Sequence, residues 1–373
     1  MFTRYEGEVL TPLHIGSGSR IVPMEYCFGP NGCKFIRVDM DSLFRSPEFK
    51  EKADSFSVVA LQGKPIADTY PFAERYPLYV LDADLHAIGQ LRSQDTRGEV
   101  LEGIKERGTW YVPGSSIKGA FRTLTYRGNI TPEFRSTWQG SIQGAIAGRE
   151  RRSKFAASRA EQAVSGGSNR SAFRAVKVSD SSFVDSSSVR LTLIKVVEKT
   201  HHGTVWKILP HNSTNDISKA TPILIEAIAP GTVFTGSFEY NERLLTLNLA
   251  NLVGSNLLDS WIQKMREAQL AYLQAEERFY RELGQTDVEA ECRRISGIVE
   301  KLKENEIVLQ IGWGTGYTPK TVRAAVDDSV FASVVRNYRM RDGDNHPFPR
   351  TRRVVLKGNA PATVLGFVKL KFS

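Results

Sequence analysis

The sequence predicts an α+β protein built from two strand-rich segments and a long helical one. Near the N-terminus, "RYEGEVLTPLHIG" and "KFIRVDM" are typical of strands and flank the turn "GPNGC". About two hundred residues later, "VRLTLIKVVEK" and "PILIEAIAPGTVFTGSFEY" repeat this pattern around a Pro-Gly turn. Between residues 257 and 305, apolar side chains recur at helical spacing and break near "LGQTD", which predicts a helical hairpin. We therefore expect two similar halves, residues 1–180 and 181–373, with the hairpin inside the second.

The charge of the chain is basic and concentrated towards the C-terminus. The 373 residues carry a formal net charge of +9 and are 41% hydrophobic, which is ordinary globular composition with enough length for two domains. Residues 310–373 contain eleven Lys and Arg against four acidic residues. The sign of the net charge proves nothing alone, but this distribution is compatible with a polyanionic partner.

Cysteine usage and hydropathy predict a cytoplasmic protein without a membrane partner. Cys27, Cys33 and Cys292 form no disulfide framework and no paired Cys-x-x-Cys motif, which is typical of a reducing compartment. No apolar run approaches the ~18 residues that a membrane span needs, and the opening "MFTRYEGEVLTPLHIG" lacks a signal-peptide pattern. The six histidines include His201, His202 and His211, but none has metal-ligand spacing, so we expect neither a metal nor a cofactor.

The stretch "WYVPGSSIKGAFRTL" predicts a strand that ends in a glycine turn and then a helix. Gly114 follows the break, and Ser115 or Ser116 could cap the helix. Free N–H groups at a helix N-terminus favour phosphate, and Lys118 and Arg122 would add positive charge on one face. The spacing is not that of a Walker loop. An ordinary turn with a solvated lysine is the alternative.

A second strand, turn and helix is predicted in "LQIGWGTGYTPKTVRAAV". The alternating Gly312, Gly314 and Gly316 would let a ligand approach the backbone closely, and Trp313 and Tyr317 offer surfaces on which a base could stack. The helix after this turn is expected to begin at "TP" and to carry two cations, Lys320 and Arg323.

Two further stretches carry candidate binding residues. "LHIGSGSR" predicts another glycine turn after a strand, the first along the chain, with His14, Gly16, Ser17, Gly18 and Arg20 in or beside it. Residues 139–171 are rich in Gly, Ser, Arg and Ala, which predicts a mobile basic loop. That loop is either a solvated insertion or an arm that becomes ordered on a polyanion. Its candidate contacts are Arg151, Arg152 and Lys154.

Three segments in this order, "TPLHIGSG", "VPGSSIKGAFR" and "IGWGTGY", resemble the RAMP superfamily of CRISPR effector subunits. "FRAVKVSDS" and "IEAIAPGTVF" are also similar to segments of that family. With the helical region before the last glycine loop, the chain most resembles the fifth Csm subunit, which lies at the 3′ end of the guide RNA in type III-A complexes. The resemblance implies two ferredoxin-like (RRM-type) domains and, as partners, CRISPR guide RNA, a neighbouring RAMP backbone subunit and other Csm proteins.

Glycine loops and cations, not the sheet face, are expected to hold the RNA, because the aromatic signature of base-stacking RRM sheets is absent. The predicted RNA-binding residues are His14, Gly16, Ser17, Gly18, Arg20, Gly114, Ser115, Ser116, Lys118, Arg122, Arg151, Arg152, Lys154, Gly312, Trp313, Gly314, Gly316, Tyr317, Lys320 and Arg323.

Two other functions stay open at this point. Some RAMP proteins cut guide precursors with a histidine near the first glycine turn, and His14 is the one weak candidate for such a base. Glu25, Asp39 and Asp41 do not match the pattern of the backbone subunit that cuts target RNA with an aspartate. We therefore expect a non-catalytic protein. The other function is a scaffold that joins protein subunits and never contacts RNA. The chain could also be another RAMP subunit of a type III complex.

Overall fold

The architecture comes from a computed structural model, which describes residues 3–30, 32–93, 98–167, 169–201, 203–241, 260–340 and 348–373. The strands are β1 (Arg4–Val9), β2 (Gly16–Ile21), β3 (Tyr26–Phe28), β4 (Lys34–Val38), β5 (Pro77–Ala83), β6 (Val100–Gly103), β7 (Lys105–Glu106), β8 (Thr109–Trp110), β9 (Val176–Val178), β10 (Val189–Thr200), β11 (Gly203–Ile208), β12 (Asn212–Thr214), β13 (Ile223–Ile228), β14 (Val233–Tyr240), β15 (Glu306–Gln310), β16 (Thr351–Lys357), β17 (Ala360–Thr363) and β18 (Phe367–Phe372). The helices are α1 (Met40–Arg45), α2 (Pro47–Lys50), α3 (Phe56–Gln62), α4 (Ile66–Thr69), α5 (Leu85–Arg92), α6 (Gly114–Gly128), α7 (Pro132–Ala147), α8 (Ser153–Ser165), α9 (Trp261–Glu282), α10 (Thr286–Glu300) and α11 (Asp328–Asn337). The expected mixed α+β class is confirmed.

A five-stranded antiparallel sheet joins the two ends of the chain. Its order is β15-β18-β1-β14-β9. On β1 and β14, each glycine lies opposite an aromatic residue, with Tyr5 facing Gly236 and Gly7 facing Phe234. A Cβ at Gly7 would lie 2.5 Å from the Phe234 ring, so each glycine makes room for the ring across from it. This pairing fixes the register of the N-terminal strand.

An eleven-stranded sheet is organised around the long strand β10. Its main path is β2-β6-β13-β10-β5-β4-β3, and β11, β12, β16 and β17 extend it beside β10. The β5–β10 and β6–β13 pairs are parallel, and the other pairs are antiparallel. Both sheets combine strands from the two halves of the chain. A boundary near residue 180 therefore does not separate one sheet from the other, and the division into two domains stays a prediction.

The predicted helical hairpin is confirmed as α9 and α10, which are separated by residues 283–285. Its buried positions repeat at helical spacing and include Trp261, Met265, Ile295 and Val299, as the apolar pattern predicts. Trp261 packs against the Phe121 ring of α6, with ring centroids 5.0 Å apart, and against Phe372 of β18. The hairpin thereby covers one face of the five-stranded sheet. Residues 257–259 of the predicted segment lie outside the described residues.

The prediction of a mobile loop over residues 139–171 is wrong for most of that range. The second half of α7 and all of α8 fill it. On α7 the buried side chains include Phe134, Trp138 and Ile142, and on α8 they include Ala160 and Val164, so each helix buries a stripe at helical spacing. These helices pack on each other and on α6, where the Tyr126 hydroxyl contacts Ser165 Oγ at 2.7 Å. The Gly, Ser and Arg content marks the solvent face of the helices.

Within the part of the chain that the structure describes, no helix combines the length and the apolar character needed to cross a bilayer.

Candidate nucleic-acid interface

The first and third glycine segments meet in the structure, although three hundred residues separate them. The Trp313 N–H donates to the His14 carbonyl oxygen at 2.8 Å. Gly312 has a φ of +89°, and a Cβ there would lie 2.3 Å from the same oxygen. Only glycine combines this backbone conformation with so close an approach. The third glycine loop, residues 311–317, is thus fixed against the segment that contains His14.

His14 is a buried structural histidine and is not exposed to solvent. Its Nδ1 lies 2.7 Å from the Glu226 carbonyl oxygen, which assigns the ring proton to Nδ1, and its side chain packs edge-on against Trp313. Burial lowers its pKa, and the Lys105 charge lowers it further, while the bond to the Glu226 carbonyl acts in the opposite direction. The neutral ring therefore supports Trp313, and the expected contact of His14 with RNA is not favoured by this position.

The Glu226 side chain is fully buried and is satisfied by three donors. The Tyr79 hydroxyl donates to Oε1 at 2.6 Å, and the Gly103 N–H and Lys105 Nζ donate to Oε2 at 2.9 and 2.8 Å. Lys105 also lies 5.0 Å from the centre of the Trp110 ring. Burial and the Glu226 carboxylate together raise the pKa of Tyr79. This network connects strands β5, β6, β7, β8 and β13 beneath His14.

An open cleft of about 510 Å³ lies on the outer side of the third glycine loop. The guanidinium of Arg353 lies 4.7 Å from the centre of the Trp313 ring, and Arg353 Nε is buried without a hydrogen-bond partner among the described residues. Burial lowers the pKa of Arg353 and that of Lys320, on which the charge of Arg353 acts in the same direction. The lining residues are Trp313, Gly314, Gly316, Tyr317, Lys320, Arg339, Met340, Phe348, Pro349, Arg350, Thr351 and Arg353.

Some of the cations around this cleft are paired with a carboxylate and others are not. Arg350 pairs with the buried carboxylate of Glu198, and Arg352 forms a two-point ion pair with Glu276 of α9, with both N–O distances at 2.8 Å. Within the described residues, no carboxylate lies within ion-pair distance of Arg353 or Lys320. The cleft therefore combines positive charge with aromatic surface, which is the chemistry that binds single-stranded nucleic acid.

The three glycines of this loop have different surroundings. A Cβ at Gly314, where φ is +84°, would lie 2.5 Å from Leu365 Cδ1. Gly316 has a φ of +93°, but no atom lies within 4 Å of the corresponding Cβ position. Gly312 and Gly314 are thus required by packing, whereas the space beside Gly316, which also lines the cleft, is open.

The helix expected after this loop is replaced by two short 3-10 turns, Thr318–Lys320 and Arg323–Ala325. Lys320 lines the cleft. Arg323 instead forms an ion pair with Asp328, and its guanidinium lies 4.0 Å from the centre of the Phe331 ring. Lys320 and Arg323, which the sequence predicts on one helix, therefore lie in different surroundings, and only Lys320 lines the cleft.

The second glycine segment begins α6, but neither serine caps the helix. Gly114 donates its N–H to Asp180 Oδ1 at 2.8 Å, and a Cβ on it would lie 2.3 Å from the Val178 carbonyl oxygen. A carboxylate of the chain thus takes one of the donors that were expected to bind phosphate. Ser115 is exposed and Ser116 is half-buried, both inside the first turn of the helix.

The two cations of α6 also differ. Arg122 lies 3.4 Å from Glu161 of α8. Burial and the nearby Arg122 charge lower the pKa of Lys118, which is half-buried. Because α6 packs against the turn Thr318–Lys320, this helix borders the third glycine loop. All three glycine segments therefore lie on one connected region of the molecule.

The remaining predicted residues lie at the surface. Gly16, Ser17, Gly18 and Arg20 belong to strand β2, which pairs with β6, so the expected turn at these positions is wrong. Ser17 Oγ donates to Glu102 at 3.3 Å, and Arg20 is paired with Glu99. The last three are Arg151, Arg152 and Lys154, which are exposed where α7 gives way to α8. Within the described ranges, no group of three His, Cys, Asp or Glu residues could hold a metal ion.

Comparison with known families places this geometry in context. The model of the RAMP superfamily matches residues 6–317, most of the chain. The chain belongs to the RAMP superfamily. Among curated relatives, the CRISPR system Cms protein Csm5 of Enterococcus italicus is 23% identical over 94% of this chain and 90% of its own. The protein of the same name from Methanocaldococcus jannaschii is 23% identical over 97% of this chain and 87% of its own.

Two solved structures share the fold of this RAMP protein. A chain of the cryo-EM structure of a Csm–crRNA–target RNA ternary complex, from a type III-A CRISPR–Cas system, is similar with a TM-score of 0.69 and 19% identity, over 100% of both chains. The crystal structure of T. onnurineus Csm5 is similar with a TM-score of 0.62 and 18% identity, over 97% of this chain and 99% of that one. The likeness covers the whole RAMP chain, including the hairpin and α7–α8.

We predict that Gly314→Ala destabilises the RAMP fold more than Gly316→Ala. The first change forces a left-handed backbone and a contact with Leu365, which together cost about 2 to 4 kcal/mol, whereas the second costs about 1 kcal/mol of backbone strain alone. Urea unfolding of both variants measures the difference. In a double-mutant cycle with Leu365→Ala, the Gly314 change should cost less than in the wild type, because the clashing methyl group is gone. If Gly314→Ala and Gly316→Ala lower the free energy of unfolding equally, the packing role assigned to Gly314 is wrong.

We also predict that His14 makes the stability depend on pH. Because its folded-state pKa is below its ordinary value of 6.5, the unfolded chain binds more protons, so the free energy of unfolding falls as the pH drops below 6.5. Between about pH 7.5 and about pH 5.5, the free energy of unfolding measured in urea should fall less for His14→Gln than for the wild type. The exposed His211→Gln is the matched histidine control. An unchanged pH dependence in His14→Gln would show that the ring is not held neutral.

Proposed function

We propose that the chain is a non-catalytic subunit of a type III-A Csm effector complex, in which it binds CRISPR guide RNA towards the 3′ end of the guide. In this role it supports guide maturation, complex assembly and antiviral defence. The observation that carries the proposal is the cleft beside Trp313, where Arg353 and Lys320 lack carboxylate partners among the described residues. The relatives named Csm5 and the similarity to a chain of a Csm–crRNA–target RNA complex support the same assignment.

The chemistry of the cleft suits an RNA backbone held without a sequence code. Arg353 and Lys320 provide charge for phosphates, and the aromatic rings of Trp313, Tyr317 and Phe348 provide apolar surface for bases or sugars. The open backbone at Gly316 adds N–H and carbonyl groups that a strand could approach. Such a site binds guides of any sequence, as a subunit that serves many guides requires.

We further propose that the two sheets represent two ferredoxin-like units whose strands have been exchanged between the halves of the chain. The antiparallel five-stranded sheet with α6 and α9 on one face supports the first unit. The strands around β10, with α5 packed on β10, support the second. In the complex, the partners are the guide RNA, a neighbouring RAMP backbone subunit and other Csm proteins.

The endoribonuclease alternative is disfavoured by the position of His14. Its side chain is 1% exposed and faces Trp313 and the Glu226 carbonyl, so a ribose hydroxyl has no access to it. The pure scaffold alternative is disfavoured by Arg353 and Lys320 of the cleft, which have no carboxylate partner within the described ranges, an arrangement that a protein-only role does not require.

Arg353→Gln and Lys320→Gln, made together, should weaken the binding of single-stranded RNA and reduce the slope of log affinity against log salt by about 1.4, because each lost phosphate contact removes ~0.7. Fluorescence anisotropy at several salt concentrations measures both effects. Arg323→Gln is the matched control, since Arg323 is engaged with Asp328 outside the cleft. A folded double variant with the wild-type slope would remove the cleft from the RNA site.

The purified protein should leave single-stranded RNA intact, with or without added Mg²⁺, because His14 is buried and bound to the Glu226 carbonyl oxygen, where a ribose hydroxyl cannot reach it. Denaturing electrophoresis of end-labelled RNA after long incubation measures this. RNA cleavage that disappears in His14→Gln would establish the nuclease alternative instead.

A further inference from the structure

A cationic and aromatic surface lies where α7 ends and α8 begins. Arg151, Arg152 and Lys154 are exposed, and Phe155 exposes 44% of its surface. Arg152 and Lys154 lie 5.8 and 5.2 Å from the centre of the Phe155 ring. Among the described residues, no ion pair involves any of these three cations. We call these four residues the α7–α8 patch.

The patch borders the cleft because α7 and α11 run side by side in the same direction. Asp327, which directly precedes α11, accepts from Arg135 in the first turn of α7 at 3.2 Å and from Gln139 Nε2, one turn further along α7, at 3.0 Å. Further along, Ile146 and Val330 line one shallow groove between the two helices. The C-terminal ends of both helices therefore lie at the same side of the molecule.

The residues that follow α7 and α11 link the α7–α8 patch to the cleft. Arg339 and Met340 come after α11 and line the cleft. The patch comes after α7. Tyr338 directly precedes Arg339, and burial raises its pKa, as does the charge of Glu150, the residue before Arg151. The positive cleft and the α7–α8 patch are thus neighbouring parts of one surface.

We propose that this surface is a continuous track for single-stranded RNA, on which a strand held in the cleft continues past Arg339 and stacks a base on Phe155. This inference rests on the proposed function and extends it to a second contact point outside the glycine loops. An exposed phenylalanine flanked by cations accepts any base, because stacking and phosphate attraction do not depend on sequence. The track therefore binds long strands more tightly than short ones.

The test compares the affinity of the full chain for oligouridylates of about 5 to about 30 nucleotides. In the wild type, affinity should rise with length beyond what the cleft alone holds. Phe155→Ala should bind the long RNAs about tenfold more weakly and the shortest RNAs normally, since stacking of one base is lost. Changing the three cations of the patch to glutamine should lower the salt slope for long RNAs by about 2 and leave that for the shortest RNAs unchanged. Phe183→Ala, at another exposed phenylalanine, is the matched control.

The possible results separate this proposal from the one on which it rests. If Phe155→Ala and the cation variant bind every length like the wild type, the track is wrong and the cleft proposal stands. The same conclusion follows if the affinity of both variants falls equally for short and long RNAs. It also follows if both variants bind RNA normally but fail to assemble with an acidic protein subunit. If the wild type binds no RNA of any length, the proposed function itself fails. Thermal unfolding of each variant checks that the surface changes leave the fold intact.

Discussion

The buried carboxylate of Glu226 is the interaction on which the arrangement of the candidate site depends. Burying a charge is costly unless it is paired and hydrogen-bonded, and here Lys105, the Tyr79 hydroxyl and the Gly103 N–H meet that condition. The carbonyl of the same residue holds His14, whose own carbonyl binds the Trp313 N–H. A single residue of β13 thus positions two glycine segments that are far apart in the chain.

This arrangement explains how much of the site could be predicted from sequence. Local signals were sufficient for the strands around the Pro-Gly turn, the helix α6 and the hairpin, because each depends on residues close in sequence. The need for glycine at positions 312 and 314 depends instead on His14 and Leu365, which are distant in sequence. Glu226 and Lys105 are 121 residues apart and were not singled out. Nothing local distinguishes a carboxylate that will be buried with a lysine partner from one that remains in solvent. The burial of His14, which the sequence analysis predicts to contact RNA, has no local signal for the same reason.

The error over residues 139–171 has a different physical origin. Small and basic residues are typical of disordered segments, yet Phe134, Trp138 and Ile142 on α7, and Ala160 and Val164 on α8, follow a spacing of four. Alanine contributes little to a hydrophobic pattern but is favourable in a helix and permits close packing. The periodic signal was therefore present, and composition obscured it. The same error hid the fact that Arg151 and Arg152 lie in a short connection between two helices and that Lys154 lies on α8.

The positive charge of the cleft follows from alternation along β16. Side chains of neighbouring residues in a strand point to opposite faces, so Arg352 reaches the carboxylate of Glu276 on α9 while Arg353 is directed to Trp313. The ion pair with the hairpin anchors the strand, and the next residue is left without a carboxylate among the described residues. A buried ion pair is a weak source of stability but a strict constraint on position, because breaking it leaves an uncompensated charge. The hairpin thereby fixes the orientation of the cation that the proposed RNA site uses.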